Sequence, residues 1–385
     1  MNDSYRTYEG MDDCVRFADW TTPEAGEHYS PLQDNTSPYP YSAQTFVELP
    51  ISSDLLYFLS RGALSSGVVQ VAADGDSDSN VASVRVQLLY ERPEFLEHAH
   101  VCLLQREEGK NGVGIFTPEH WHRHSHHHHH RPFFAVKISL PAPSGRDALQ
   151  LNGFETNMPL FAHTFEELED LVDFKTLKLR SSNSIIMVKS VYSEAADIET
   201  TNGPIYGNYT TSEYLSLRSS NGPIITNVTL INAAIEHPTE VDMRTSNGHI
   251  TTNLTLVSAA NDHTGGKFKV NTRTSNSPLA VGFSEAPVNS VLRFEGHTSN
   301  SPAKATAHKT FEGDFFVRTS TWFPVNLDHD DTVEDPAGKG RKRDFALKRV
   351  NRGTSEGTVK WLPAEDRELG SIVLTTSNSP IALKL

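Results

Sequence analysis

The side chains in this chain best suited to chemistry are its histidines and its asparagines, and both come in patterns. The run HWHRHSHHHHHR at 120–131 holds His120, His122, His124, His126, His127, His128, His129 and His130. Imidazole nitrogen ligates Zn, Ni or Cu, and histidine-rich tracts take up such ions. A built metal centre also needs fixed ligand spacing and supporting hydrogen bonds, and this run has no such spacing. It reads as a low-complexity loop with adventitious metal affinity, gaining charge as pH falls toward about 6. No cofactor is expected.

The asparagines recur in a turn motif. The chain reads RSSNSII at 180–186, ETTNGPI at 199–205, RSSNGPI at 218–224, RTSNGHI at 244–250, RTSNSPL at 273–279, HTSNSPA at 297–303 and TTSNSPI at 375–381. The motif asparagines are Asn183, Asn202, Asn221, Asn247, Asn276, Asn300 and Asn378, with gaps of 19, 19, 26, 29 and 24 before the last, longer one. Asparagine tolerates left-handed backbone and bonds nearby main chain. Gly203, Gly222 and Gly248 follow it where a positive φ is expected, and Ser takes that place elsewhere. Pro then fixes φ as the next strand begins. Stacked turns would bring these amides into a hydrogen-bonded ladder of the kind that stabilises stacked β structure. The motif is therefore read as structural. A degenerate copy, FFVRTSTWFPV at 315–325, puts Thr321 at the asparagine position and is expected between Asn300 and Asn378.

Three of the turns are followed, six residues on, by N-x-T: Asn208, Asn227 and Asn253. The shared position implies an outward-facing column. If the chain is secreted, these are glycosylation acceptors; otherwise they are ordinary outward residues of a β surface, the reading adopted here.

No nucleophile elbow, zinc-protease helix, phosphate loop, dinucleotide fingerprint or C-x-x-C occurs. Glycoside hydrolysis needs paired carboxylates, whereas the repeats place Ser, Thr and Asn on their surface. The chain is not expected to be an enzyme. A carbohydrate-active β-helix enzyme, a polysaccharide lyase or hydrolase, is the alternative, recognisable by carboxylates gathered in one groove.

Short alternating segments must position these residues. FVELPI (46–51), GVVQVAA (67–73), VASVRVQLLY (81–90), AHVCLLQRE (99–107), FFAVKISLP (133–141) and ALQLNGF (148–154) read as strands. DLLYFLSRGAL (54–64) shows a rough helical stripe, and HTFEELEDL (163–171) a loop or one helical turn. From about 176 the repeat takes over, with Leu215, Leu217, Thr226, Val228 and Leu230 facing inward. A repeat that cannot bury its own face must stack on its neighbours. The expected fold is all-β: an elongated parallel β-solenoid of about 20-residue coils with an asparagine turn ladder, behind a disordered N-terminal tail. The expected organisation is a tail at 1–44, an N-terminal β region or cap with the His-rich loop at 45–175, and a solenoid at 176–385 with a loop insertion at 328–349. Coil ends need caps, for which the tail or the 54–64 helix is available, and the last coil, IVLTTSNSPIALKL, is expected to lie open.

The chain has 385 residues, 37% of them hydrophobic, which suits an extended β protein better than one compact globule. A net charge of -14 argues against nucleic acid and anionic membrane partners. No apolar run reaches the roughly 18 residues that span a bilayer, and the N-terminus shows no basic or apolar leader region. Cys14 and Cys102 are expected as free thiols, since sparse cysteine fits a reducing compartment. Cytoplasmic location is the default.

The repeated strand–[ST]-[ST]-N-[GS]-P-[IL]–strand unit resembles the adhesin-type β-solenoid domains, widespread in bacteria and without an assigned activity. LLYFLSRGALSSGVVQV, EGKNGVGIFTPEHW and FETNMPLFAH resemble a fungal branch of that family. The resemblance spans roughly 45–385. It implies a non-enzymatic binding or structural module with a protein or glycan ligand, at the cell periphery if the adhesin analogy holds. It carries over no catalytic residue and no oligomeric state.

Overall fold

The computed structural model describes residues 10–22, 38–119, 130–145, 147–233, 237–330 and 332–385. They form an all-β protein with 26 strands and a single four-residue helix, Glu94–Glu97. The chain divides into two compact units, 1–191 and 192–385.

The first unit contains β1 (Cys14–Phe17), β2 (Tyr41–Pro50), β3 (Leu55–Arg61), β4 (Gly67–Gly75), β5 (Val81–Tyr90), β6 (His100–Glu107), β7 (Lys110–Phe116), β8 (Phe133–Pro141), β9 (Leu149–Asn157), β10 (Phe161–Glu167), β11 (Val172–Arg180) and the start of β12 (Ile186–Thr200). Two ladders run through it. One has the order β1-β6-β7-β3-β9-β11. The other is β2-β5-β8-β4-β10-β12. Each opens with antiparallel strands and continues parallel. Phe154 lies at the centre of an aromatic cluster, 5.2 Å from Phe58, 5.7 Å from Phe165 and 5.9 Å from Phe174 between ring centroids. The last two contacts are edge-to-face, a geometry worth about 0.5–1.5 kcal/mol beyond buried area.

Four expectations fail in this unit. Residues 54–64 are not helical. Leu56–Ser60 are all buried in β3, which lies between β7 and β9. A strand covered on both faces loses its alternation and reads as a continuous apolar run. Of residues 163–171, expected as a loop or one helical turn, 163–167 belong to β10 and only 168–171 form a turn. The 1–44 segment is not wholly a disordered tail. Its described part holds β1, a bridge from Thr21 to Gln44 and the first residues of β2. Cys14 and Cys102 are not thiols but a disulfide with a Cα–Cα distance of 5.8 Å. Antiparallel pairing of β1 with β6 brings the two together, and Cys102 sits among Tyr57, Leu59, Leu104 and Phe116. As an edge strand, β1 is held by main-chain bonds and this cross-link. Its mostly exposed side chains give no apolar pattern to read.

The second unit receives the rest of β12 and contains β13 (Ile205–Ser219), β14 (Ile224–Asn232), β15 (Thr239–Arg244), β16 (Ile250–Ser258), β17 (Lys267–Arg273), β18 (Leu279–Glu285), β19 (Val291–His297), β20 (Ala303–Thr306), β21 (Gly313–Arg318), β22 (Val325–Asp328), β23 (Lys342–Asn351), β24 (Thr354–Leu362), β25 (Gly370–Thr375) and β26 (Ile381–Lys384). The first half of β13 starts the parallel ladder β13-β14-β16-β18-β20-β26-β22. Its second half starts the parallel ladder β13-β15-β17-β19-β25-β21. Inward side chains fall in register: Leu215, Val241, Val270, Phe294, Ile372 and Phe315 stand on successive strands, each at most 1% exposed.

Strand order here departs from chain order. β25 and β26 lie between β19–β20 and β21–β22, so the last segment is an interior rung and not an open end. The degenerate motif at 315–325 is the outer rung. The 328–349 insertion is not simply a loop: Lys342–Arg349 belong to β23, which forms an antiparallel pair with β24, and β24 covers the outer edge of β21. This hairpin closes the ladder. The mostly exposed β23 carries Lys342, Arg343, Lys348 and Arg349, charges that discourage further strand pairing.

Candidate functional site

The turns between paired strands build the exposed surface of the second unit. In each, the first hydroxyl residue of the motif is buried and stitches one rung to the previous one. Ser219 Oγ donates to the Gly203 carbonyl at 3.2 Å and accepts the Gly222 N–H at 2.9 Å. Thr245 repeats this with the Gly222 carbonyl and the Gly248 N–H, at 3.2 and 3.1 Å. Thr274, Thr298, Thr376 and Thr319 donate to the carbonyls of Gly248, Ser277, Ser301 and Ser379. Sequence reasoning gave the turn to asparagine and missed this buried hydroxyl column. Its signal is the Ser/Thr always found two residues before the motif asparagine position.

The asparagines form an exposed column outside it. Asn221 Nδ2 donates to Asn202 Oδ1 at 2.6 Å, and the pattern repeats from Asn247 to Asn221 (2.7 Å), Asn276 to Asn247 (2.7 Å), Asn300 to Asn276 (2.8 Å) and Asn378 to Asn300 (2.9 Å). Asn183 belongs to the first unit, where its N–H donates to the Pro159 carbonyl. Neither these asparagines nor Gly222 and Gly248 adopt positive φ. The glycines answer a different demand: a Cβ at Gly222 would lie 1.9 Å from the Gly203 carbonyl oxygen, and one at Gly248 1.9 Å from that of Gly222. Where Ser replaces Gly, Ser277 and Ser301 hydroxyls bond the carbonyls of Asn247 and Asn276.

A second exposed column runs along the β14 ladder. Asn208, Asn227 and Asn253 are direct neighbours on β13, β14 and β16. Asn227 Nδ2 donates to Asn208 Oδ1 at 2.9 Å.

A third column precedes the turns on the β15 ladder. Arg218, Arg244, Arg273, His297, Thr375 and Arg318 occupy successive strands. The four arginines are exposed. Asp242 accepts from Arg244 at 2.9 Å and lies 3.9 Å from Arg218. Burial, followed by the neighbouring charge of Arg273, lowers the pKa of His297. Its ring also meets Thr375 Oγ1 at 2.9 Å. In the turn after Arg318, Trp322 is 85% exposed.

Carboxylates do gather in this unit, but in the interior. Glu312 accepts the Trp361 N–H at 2.9 Å and pairs with Arg367. Arg341 binds Asp335 through Nε and Nη2, the latter at 3.0 Å, and this bonding holds the Asp335 carboxyl well below the usual range. Arg341 also lies 4.0 Å from Glu312 and Glu365. Glu312, Asp335 and Arg341 are almost fully buried. Buried Glu312 and Asp335, with their guanidinium partners, tie the insertion to the rest of the unit.

Of the histidine run, His120, His122, His124, His126, His127, His128 and His129 lie outside the described residues. His130 is exposed, and its backbone N–H donates to Glu91 at 2.9 Å. Among the described residues no three His, Cys, Asp or Glu side chains gather as metal ligands would, and no helix is long and apolar enough to cross a membrane.

No family model matches this chain, and no curated protein matches it. Among solved structures it is similar to a candidate cell adhesion protein from Clostridium sporogenes ATCC 15579, at 8% identity over 89% of this chain and 99% of that one, with a TM-score of 0.20.

Proposed function

We propose that this chain is a non-catalytic binding module of the adhesin-like type, with its repeats wound as a parallel β-solenoid that offers outward columns to a protein or glycan ligand. The observation that carries this reading is the in-register repetition of exposed polar side chains, the Asn202–Asn378 column above all. A surface that repeats at about 4.8 Å per strand suits a ligand that also repeats. The pairing of Glu312 and Asp335 with arginine and of Glu365 with Lys339 supports a non-catalytic role, since glycoside hydrolysis needs one carboxyl free to protonate and another free to attack or activate water. The Cys14–Cys102 disulfide favours an oxidising compartment, in keeping with a place at the cell periphery.

A glycan and protein array probed with the full chain, together with localisation of the tagged protein, tests the reading. Retention of at least one ligand class and a peripheral signal are expected. Release of new reducing ends from any polysaccharide would transfer the chain to the alternative, a carbohydrate-active β-helix enzyme. No retention with a diffuse cytosolic signal would end the binding reading.

A further inference from the structure

We infer that the arginine column of the second unit is a binding track for a linear acidic polysaccharide, one that carries carboxylate or sulfate groups along an otherwise hydroxyl-rich chain. This rests on the binding-module reading above and names its ligand class.

The column is an unusual use of a sheet surface. Arg218, Arg244 and Arg273 are directly opposed on β13, β15 and β17, about 4.8 Å apart from strand to strand. Like charges placed directly opposite each other destabilise a sheet, and the same strands show the usual remedy four residues earlier. There Glu240 and Lys269, also direct neighbours, make a 3.0 Å ion pair. The arginine column has no such alternation. Asp242 serves Arg244 and, loosely, Arg218. Arg273 and Arg318 have no side-chain hydrogen bond or ion pair among the described residues. The result is a narrow cationic stripe on a chain whose net charge is -14. At the equivalent motif position of the preceding turn stands Glu199, which bounds the stripe.

The surroundings select the ligand. Glu240, Glu295 and Asp314 lie on the same strands, and together with the net charge they oppose a densely charged polymer such as nucleic acid, with a phosphate every 3.4 Å or so along each strand. A polymer with sparse acidic groups avoids that penalty. Its hydroxyls meet the asparagine column, three residues further along each turn. Each interior amide spends one N–H and one oxygen lone pair on its neighbours, which leaves one N–H and one lone pair for solvent or ligand. Trp322, four residues after Arg318, offers a flat exposed ring at the outer rung, an apolar body against which a sugar face can rest.

The test uses the full chain, with binding measured by calorimetry to polygalacturonate, dextran sulfate, neutral dextran and single-stranded DNA. At least one acidic polysaccharide is expected to bind, with affinity falling as salt is raised. Polygalacturonate against dextran sulfate separates carboxylate from sulfate recognition. The double variant Arg244→Ser/Arg273→Ser is expected to bind about tenfold more weakly, and Arg244→Lys/Arg273→Lys to keep most of the affinity. Circular dichroism melts of both variants separate lost binding from lost folding. Trp322→Ala should weaken binding without changing its salt dependence. Equal affinity for neutral dextran or DNA, or an unchanged affinity in the serine double variant, would overturn the inference. If a ligand from the array is retained regardless of the arginines, the track is wrong and the binding-module reading stands. If polygalacturonate is depolymerised, that reading itself falls.

Discussion

The two units use the same element, a short strand, in opposite ways. In the first, antiparallel strands open each ladder, a few large aromatic rings meet at Phe154, and one disulfide fixes the edge. In the second, two parallel ladders run from β13, one of them ending at the β23–β24 hairpin, and inward apolar side chains, buried hydroxyls and exposed amides each repeat in register. The first unit gathers large rings round one residue, Phe154, within an otherwise irregular core. The second sets like side chains at like positions strand after strand, so its surface repeats as its core does.

That contrast can be broken by measurement. Phe154→Ala should cost the first unit about 3–5 kcal/mol in denaturant melts; a loss below about 1 kcal/mol would mean that the rings gathered round Phe154 matter little to its core. Reducing the disulfide, or replacing Cys14 and Cys102 by Ser and Ala, should cost about 2–4 kcal/mol. Hydrogen exchange should then rise in β1 and β6 and stay level in β14, β16 and β18. Acid should act on both units alike. Burial pushes His163 down to about 4, against the opposing pull of the Phe161 carbonyl. Burial, with the nearby Arg343 charge, pushes His308 down to about 3. The unfolded chain takes up these protons below about 6.5 while the folded chain refuses them, so stability should fall as pH drops from there and stay level above it. His308→Gln should flatten part of that slope.

Within the second unit, Asn247→Ala loses two amide bonds and should cost about 1 kcal/mol, and Asn227→Ala about half as much. Equal costs would show that the two columns are energetically the same. Arg273→Thr should change stability by no more than about 0.5 kcal/mol, toward stabilisation, because it relieves an opposed like charge.

The alternating strands were legible in the sequence because their period is local: β5 and β8 match the segments read at 81–90 and 133–141 residue for residue. What depends on distant partners was not. Both faces of β3 are covered, Tyr57 and Leu59 packing with Cys102, Leu104 and Phe116 and Phe58 meeting Phe154, so its run imitated a helix. The partner of Cys14 is 88 residues away and reached only by edge pairing. The glycines at Gly222 and Gly248 looked like turn-makers because the carbonyl that excludes a Cβ belongs to another turn. Arg218, Arg244 and Arg273 stood in plain view in each motif copy, yet one copy cannot show that they face one another. The order of the outer rungs was illegible for the same reason, since motif copies alone do not say which strand lies beside which.

That order has a consequence for how the molecule is made. Residues 313–328 leave the ribosome before 370–384, yet in the finished ladders the later segment lies between them and β19–β20. Until it arrives, β19 and β20 wait with open edges, and β21 offers an edge of matching direction one rung too early. Pairings of such long sequence separation form late and slowly, and an unpaired edge invites the wrong strand. A nascent chain stopped before about residue 370 therefore has a ready wrong answer, β21 on β19, which the complete chain must undo or avoid.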